Sequence, residues 1–238
     1  MSRMEGQAGW VLHRRPWRES SLLVEFFSHE QGRVGLVARA ARSPRSPWRG
    51  LAEPFCPLVA AWTRRGEMGT LIDLESTDRR VALQGRALWC GLYANELVMK
   101  LIARDDPAPE VFHAYGDLLS GLGSGESMAG AVRRFELRLL AGTGVAPDLE
   151  HDAASGERIR ADSLYHLDPE AGFSPTERAG ASVYRGDVIL ALASGRFDGP
   201  GIARSCRQLT RQLIDHQLAG RRLETRRLFE NPSKESGS

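Results

Sequence analysis

The chain has 238 residues, 42% of them hydrophobic and 26% charged, a composition that excludes a disordered or fibrous protein and suits one large or two modest globular domains. Cys56, Cys90 and Cys206 lie far apart with no CxxC pair, which argues against a disulfide framework and a cysteine-held zinc ion, and no apolar run approaches the ~20 residues that span a bilayer. The net charge of +2 hides a pattern: residues 1–80 are net +4, residues 105–180 net −8 and residues 196–229 net +5, and all basic side chains but Lys100 and Lys234 are arginine.

Taken in chain order, the first 75 residues read as short strands divided by turns. Ala8–Arg14 is the first. Ser20–Ser28 alternates, with Leu22, Val24 and Phe26 on one face and Leu23, Glu25 and Phe27 on the other. The turn His29–Glu30–Gln31–Gly32 leads into Arg33–Arg39, and a Pro/Ser/Arg-rich stretch separates this from Pro57–Arg64. A tight turn at Arg65–Gly66–Glu67 leads to Met68–Glu75. Five such strands suit a small Greek-key barrel of the OB type.

From Leu83 the period changes. Trp89, Tyr93, Leu97 and Leu101 recur every fourth residue, which predicts a helix over Gly85–Arg104 ended by Asp105–Asp106–Pro107. A second helix is expected at Glu110–Leu122, then a linker at Gly121–Gly125. Ser127 is the expected N-cap of a third helix, Met128–Ala141, burying Val132, Phe135, Leu139 and Leu140. Residues 142–185 are rich in Gly, Pro and Asp and read as irregular. A short helix at Asp187–Ala193 follows. The last helix, Gly201–Ala219, buries Ile202, Cys206, Leu209 and Leu213, with Gly220 as its C-cap. The fold class is therefore α+β: an N-terminal OB-fold five-stranded β-barrel (1–80), then an α-helical domain (81–229) with an irregular, zinc-free insertion at 142–185, and a disordered tail at 230–238.

Catalytic signals are poor. Asp73 and Glu75 share a strand face without further partners, and Gly121–Gly125 lacks the GK[ST] ending of a phosphate loop. His151 and His166 have no metal-ligand spacing around them, and no GxSxG is present. No enzyme, metal or cofactor is indicated. Binding signals are better. Between Glu30 and Glu53 there is no acid but five arginines, Arg33, Arg39, Arg42, Arg45 and Arg49, the last two flanking Trp48. Arg14, Arg15, Trp17 and Arg18 form a second cluster, expected in the loop between the first two strands. Guanidinium groups neutralise phosphates and exposed indoles stack on unpaired bases, so both clusters point to single-stranded nucleic acid. Arg204, Arg207 and Arg211 form a further basic stripe on the last helix, with Arg221, Arg222, Arg226 and Arg227 beyond it.

The segment Gly9–Trp10–Val11–Leu12–His13–Arg14–Arg15–Pro16–Trp17–Arg18–Glu19–Ser20–Ser21–Leu22 resembles the opening of the RecO family of DNA-repair recombination mediators. So do Gly32–Arg42 and Glu53–Leu58, then Gly91–Leu97, Arg133–Leu137 and Leu223–Phe229, all in the family's order. The resemblance implies an OB-fold followed by a helical domain, and the widely spaced single cysteines with no apolar N-terminal signal stretch lead to the expectation of a cytoplasmic, nucleoid-associated protein. It implies binding of single- and double-stranded DNA, annealing of complementary strands, and loading of RecA onto strands coated by single-stranded-DNA-binding protein. Implied partners are RecR and the acidic C-terminal tail of the coating protein. Many members carry a four-cysteine zinc site in the region matching 145–185, which here has no cysteine, so Tyr165, Phe173 and Tyr184 are expected to order it by packing. The coating protein's tail, ending in an aromatic residue with a free carboxylate, is expected on the third helix, at Arg133, Arg134, Phe135 and Leu139. The alternatives are a protein–protein adaptor whose arginines serve acidic partners and an RNA-binding OB protein.

Overall fold

The computed structural model describes residues 2–78, 80–197 and 200–230, which fall into two compact units, one within 1–124 and 223–238 and the other within 125–222. The strands are β1 (Ser2–Trp17), β2 (Ser21–Ser28), β3 (Gly32–Ala38), β4 (Pro57–Arg65), β5 (Met68–Ser76), β6 (Leu164–Asp168), β7 (Gly172–Thr176) and β8 (Val183–Arg185). The helices are α1 (Gly85–Leu101), α2 (Pro109–Ser124), α3 (Met128–Gly142), α4 (Gly186–Ser194), α5 (Pro200–Leu218) and α6 (Arg226–Glu230).

In the first unit, β1 to β5 close into the expected barrel in the order β1-β2-β3-β5-β4. Every pairing is antiparallel except the short β3–β5 pairing at Leu36–Gly69 and Val37–Thr70. The alternation read from the sequence fills the interior: Leu22, Val24, Phe26, Val34, Leu36 and Ala38 meet Leu58, Ala60, Trp62, Leu71 and Leu74. Phe26 and Trp62 meet edge to face at 6.0 Å.

The first strand is longer than Ala8–Arg14 because it serves two neighbours. Its N-terminal half pairs with β4 and the rest with β2. Val11 lies opposite Phe26 while His13 lies opposite Glu25, so Leu12 is an extra residue in a bulge. The bulge buries consecutive residues: Val11 joins the barrel core, and the Leu12 carbonyl accepts from Asn95 Nδ2 at 2.8 Å. Tyr115 in α2 donates to Asn95 Oδ1 at 2.6 Å, and its ring meets Trp10 at 5.6 Å and Phe27 at 6.4 Å. Helices α1 and α2 thus cover the outside of β1 and β2. Gly32 begins β3 at a φ of +64°, where a Cβ would stand 2.0 Å from the Asp106 carbonyl oxygen, so only glycine fits.

Helix α1 ends at Leu101 rather than Arg104: Ile102 turns to extended backbone (φ −90°, ψ 127°) while its N–H still reaches the Val98 carbonyl. Its stripe is also wider than the four-residue period suggests. Cys90, Gly91 and every residue from Tyr93 to Val98 are buried, whereas Trp89 and Leu101 are half-buried. Glu96, buried among them, accepts from the backbone N–H groups of Glu224 (2.8 Å) and Thr225 (2.9 Å) and from the Thr225 hydroxyl (2.7 Å), with Lys100 at 3.1 Å. That grip returns the chain end to α1, where Phe229 of α6 meets Trp89 at 5.8 Å and Tyr93 at 6.4 Å. Helix α6 has no signal in the sequence pattern. The expected linker at Gly121–Gly125 is a correction: Gly121 to Ser124 form the last turn of α2, because Gly121 and Leu122 are buried there. Of the expected disordered tail, Glu230 ends α6 and residues 231–238 lie outside the described residues.

In the second unit Ser127 caps α3 by accepting from the Gly130 N–H, as expected. Phe135, Leu139 and Leu140 pack with Cys206, Leu209, Leu213 and Ile214 of α5 in the buried interior, while Ile202 is only half-buried. The 142–185 segment is not irregular throughout. It holds an antiparallel sheet ordered β7-β6-β8, with Tyr165, Leu167, Phe173 and Tyr184 all buried. Three strands this short show too little alternation to stand out in the sequence, but the expected aromatic packing is there. Tyr165 Oη accepts from the Arg160 N–H at 2.9 Å, and Tyr184 donates to Gln212 Oε1 at 2.8 Å. Asp152 stitches the preceding loop by accepting from the N–H groups of Ala154 and Ser155 and from the Ser155 hydroxyl.

Candidate nucleic-acid interface

Two of the basic clusters converge on the barrel. Arg14, Arg15 and Trp17 lie on β1 itself, in the half that projects beyond the bulge, and only Arg18 is in the turn, at a φ of 52°. This corrects the placement of all four in a loop. The strand continues there because Arg14, Arg15, Pro16 and Trp17 pair with Val24, Leu23, Leu22 and Ser21. Trp17 is 38% exposed, and the Arg15 guanidinium lies 6.0 Å from its ring centroid.

The β3–β4 connection folds as successive turns instead of running free. Ser43, Ser46, Arg49 and Leu51 each donate a backbone N–H to the residue three before, and Ala41 and Ala52 are buried at its two ends. Trp48 and Leu51 pack against the barrel interior from outside. The Arg42 N–H donates to the Ser20 carbonyl at 2.8 Å and its guanidinium to the Glu19 carbonyl at 3.3 Å, tying this loop to the β1–β2 turn. The result is a cleft of about 410 Å³ lined by Arg14, Arg42, Arg49 and Trp48 over a floor of Leu22, Ala41 and Ala52. One acid enters it: Glu53 meets Arg14 at 2.5 Å. Arg18, Arg39, Arg45 and Arg49 are exposed, and no described carboxylate pairs with them.

Arg33 does not belong to this surface. Its guanidinium is largely covered, meets Glu25 at 3.1 Å and donates to the Ile102 carbonyl at 3.2 Å. Burial pulls its pKa below the ordinary guanidinium value against the opposing attraction of Glu25. Arg104 also grips Glu25, and Arg64 holds Asp105 with two bonds of 2.5 and 2.7 Å. These arginines fasten the barrel to the chain that follows α1.

On α5, Arg204, Arg207 and Arg211 project from one exposed face, as their spacing predicts. Arg211 lies 3.6 Å from Asp215, and no described acid pairs with the other two. Of the residues beyond, Arg227 meets Glu224 at 3.0 Å and Arg221 donates to the Leu218 carbonyl.

The expected tail pocket on α3 is a correction. Phe135 and Leu139 are fully buried, so the apolar stripe forms core and offers no notch at the surface. Arg133 is mostly buried too, 2.5 Å from Glu136 and donating to the Thr210 hydroxyl. Only Arg134 stands at the surface, 2.8 Å from Glu126.

Among the described residues no three His, Cys, Asp or Glu side chains converge to hold a metal ion, and no helix is long and apolar enough to cross a membrane. Asp73 and Glu75 are exposed. His151 pairs with Asp148 at 3.2 Å. Cys56, Cys90 and Cys206 are buried singly, and burial pushes the Cys206 thiol up to about 11, leaving little thiolate at neutral pH. The charged residue of the cleft to which sequence reasoning gave no role is Glu53, which enters there as the boundary of the acid-free run and the start of one family-like block.

Family models described as Recombination protein O N terminal and Recombination protein O C terminal match residues 1–80 and 83–227. A DNA repair protein RecO from Laribacter hongkongensis is 44% identical over 230 residues, covering 95% of this chain and 94% of its own. Proteins of the same name from Azoarcus and Methylococcus capsulatus are each 41% identical, over 96% and 94% of this chain and 96% and 92% of theirs. Matched along nearly its whole length by both halves of one family and by full-length relatives, the chain belongs to the RecO family.

Proposed function

We propose that this protein is a non-enzymatic mediator of DNA repair and homologous recombination that binds DNA through its barrel and anneals complementary strands. The observation that carries this is the set of guanidinium groups without a described acid, Arg18, Arg39, Arg45 and Arg49, grouped with Trp17 and Trp48 on one unit. Phosphates on such a surface release counterions, and indoles accept bases without regard to sequence. The α5 arginines supply a second basic face on the other unit. Two strands held on cationic faces repel each other less, so complementary bases can meet. No covalent bond is made or broken in protein or DNA, and no nucleotide, metal or other cofactor is required.

On this reading the protein binds single- and double-stranded DNA, cooperates with RecR, and helps load RecA onto strands covered by single-stranded-DNA-binding protein through that protein's acidic tail. The names of the relatives support the repair role. The test is annealing of complementary oligonucleotides, bare and coated, measured with the protein and with a variant carrying Ala at Arg39, Arg42, Arg45 and Arg49. Annealing should fall in the variant for both forms. Full annealing by the variant, or none by the wild type, would overturn the proposal.

A further inference from the structure

A surface built only to hold phosphates has no use for a carboxylate, yet Glu53 lines the barrel cleft among three arginines. Its backbone is firmly held. Ala52 before it is buried, Pro54 after it bridges to Val11 of β1, and its own N–H donates to the Leu51 carbonyl at 2.6 Å. The side chain is only 21% exposed and meets Arg14 at 2.5 Å. The pair therefore sets a guanidinium donor beside two carboxylate acceptors. The Watson–Crick edge of guanine is the complement of that order, with the O6 acceptor followed by the N1–H and N2–H donors. Adenine and cytosine each place a bare ring nitrogen against the carboxylate, and thymine places carbonyls on both sides of its single N–H. The half-buried Trp48 indole walls the same cleft and suits the face of a base, while Arg42 and Arg49 suit its flanking phosphates. The volume of about 410 Å³ falls within the range of small-ligand pockets.

We propose that this cleft takes one unpaired guanine from a single strand, with Arg14 and Glu53 reading its Watson–Crick edge and Trp48 against its face. The proposal rests on the DNA-binding reading of the barrel and deepens it from a sequence-blind surface to one with a base-reading position. Arg14 takes part in holding Glu53 before DNA arrives and shifts toward O6 when the base enters.

The test uses the full chain and labelled all-thymine strands of about 15 nucleotides, near the upper site size of one such barrel. In matched strands one central thymine is replaced by guanine, hypoxanthine or N1-methylguanine, and binding is followed by fluorescence anisotropy over a salt series. One guanine should tighten binding about fivefold or more. Hypoxanthine, which lacks the N2 amine, should recover part of that gain, and N1-methylguanine none. In Glu53→Gln the guanine and thymine strands should become equal, whatever their absolute affinity. Equal affinity of the wild type for both strands, with steep salt dependence intact, overturns the guanine site and leaves the DNA-binding function standing. Persistence of the preference in Glu53→Gln also overturns it. Absence of salt-dependent binding to any strand overturns both readings. Should Glu53→Gln fail to fold, the base-analogue series decides alone.

Discussion

The β3–β4 loop and helix α3 both carry clustered arginines next to an aromatic residue, and the structure gives them opposite fates. In the loop, Arg45 and Arg49 stand in solvent with no described acid against them. On α3, Arg133 is drawn into the interior by Glu136 and Thr210, and Arg134 is met by Glu126. The residue types are alike, but the acids within reach are not. No carboxylate lies between Glu30 and Glu53, whereas α3 has one three residues after Arg133. A guanidinium buried against a carboxylate, as Arg133 is against Glu136, becomes part of the fold, whereas an exposed one with no described acid against it stays available to a ligand.

The comparison breaks most easily at Arg133. Arg133→Ala takes the guanidinium from Glu136, a carboxylate only 1% exposed, and should lower unfolding free energy by about 3 kcal/mol or more. Arg133→Met combined with Glu136→Leu should recover most of that loss, since replacing both members of a buried pair by apolar groups is often close to neutral. Denaturant melts measure both. A small effect of Arg133→Ala would mean that the α3 arginine is as dispensable to folding as those of the loop.

The loop gives the opposite signature. Changing Arg39, Arg42, Arg45 and Arg49 together to Ala should lower the melting midpoint only slightly, because all four side chains are exposed and, although Arg42 loses its bond to the Glu19 carbonyl, its backbone N–H still ties the loop to Ser20. The slope of log affinity for single-stranded DNA against log salt should shrink by about 0.7 for each phosphate that is no longer neutralised. An unchanged slope and affinity would move the principal DNA-binding surface off the barrel.

Glu96 extends the contrast to an acid that holds the chain end. Burial raises its pKa, but the Thr225 hydroxyl, the N–H groups of Thr225 and Glu224, and Lys100 together outweigh it, so the folded pKa lies below the ordinary 4.5. A carboxyl depressed on folding contributes stability that is fully present above its unfolded pKa and is lost as pH falls through the folded value. Glu96→Gln should cost about 1–2 kcal/mol at neutral pH and flatten the pH dependence of stability below about 4.5. Melts at neutral and acid pH would show it. An equal loss at both would assign the whole effect to packing.

Alternation and period carried the barrel and the positions of most helices, because burial on one face repeats locally. Leu22, Val24 and Phe26 need no distant partner to declare their side. What stayed hidden depends on residues far apart in the chain. The extension of β1 needs β4 as a neighbour, α6 is held by Glu96 more than 120 residues earlier, and β6 to β8 are too short to show alternation. The basic cleft was half visible. Both arginine clusters stood out, but their meeting depends on Arg42 bonding to the β1–β2 turn, and Glu53 enters only through the fold. The α3 tail pocket failed for a related reason: an apolar stripe beside arginines reads the same whether it faces a partner or its own core.

The smallest expected effect is at Arg134, and it separates two residues that adjoin in sequence. Arg134 and Glu126 are each about half exposed at 2.8 Å, so water and salt screen their attraction and ordering both side chains offsets much of the gain. Arg134→Ala should therefore change stability by no more than about 0.5 kcal/mol, and the difference should vanish as salt is raised. Because Arg133 differs chiefly in facing inward, the pair of single variants compares burial at nearly fixed sequence context. Thermal melts of Arg133→Ala and Arg134→Ala at low and high salt decide it. Equal losses at the two positions, or a salt-independent loss at Arg134, would mean that burial does not govern which arginines of this protein belong to its fold.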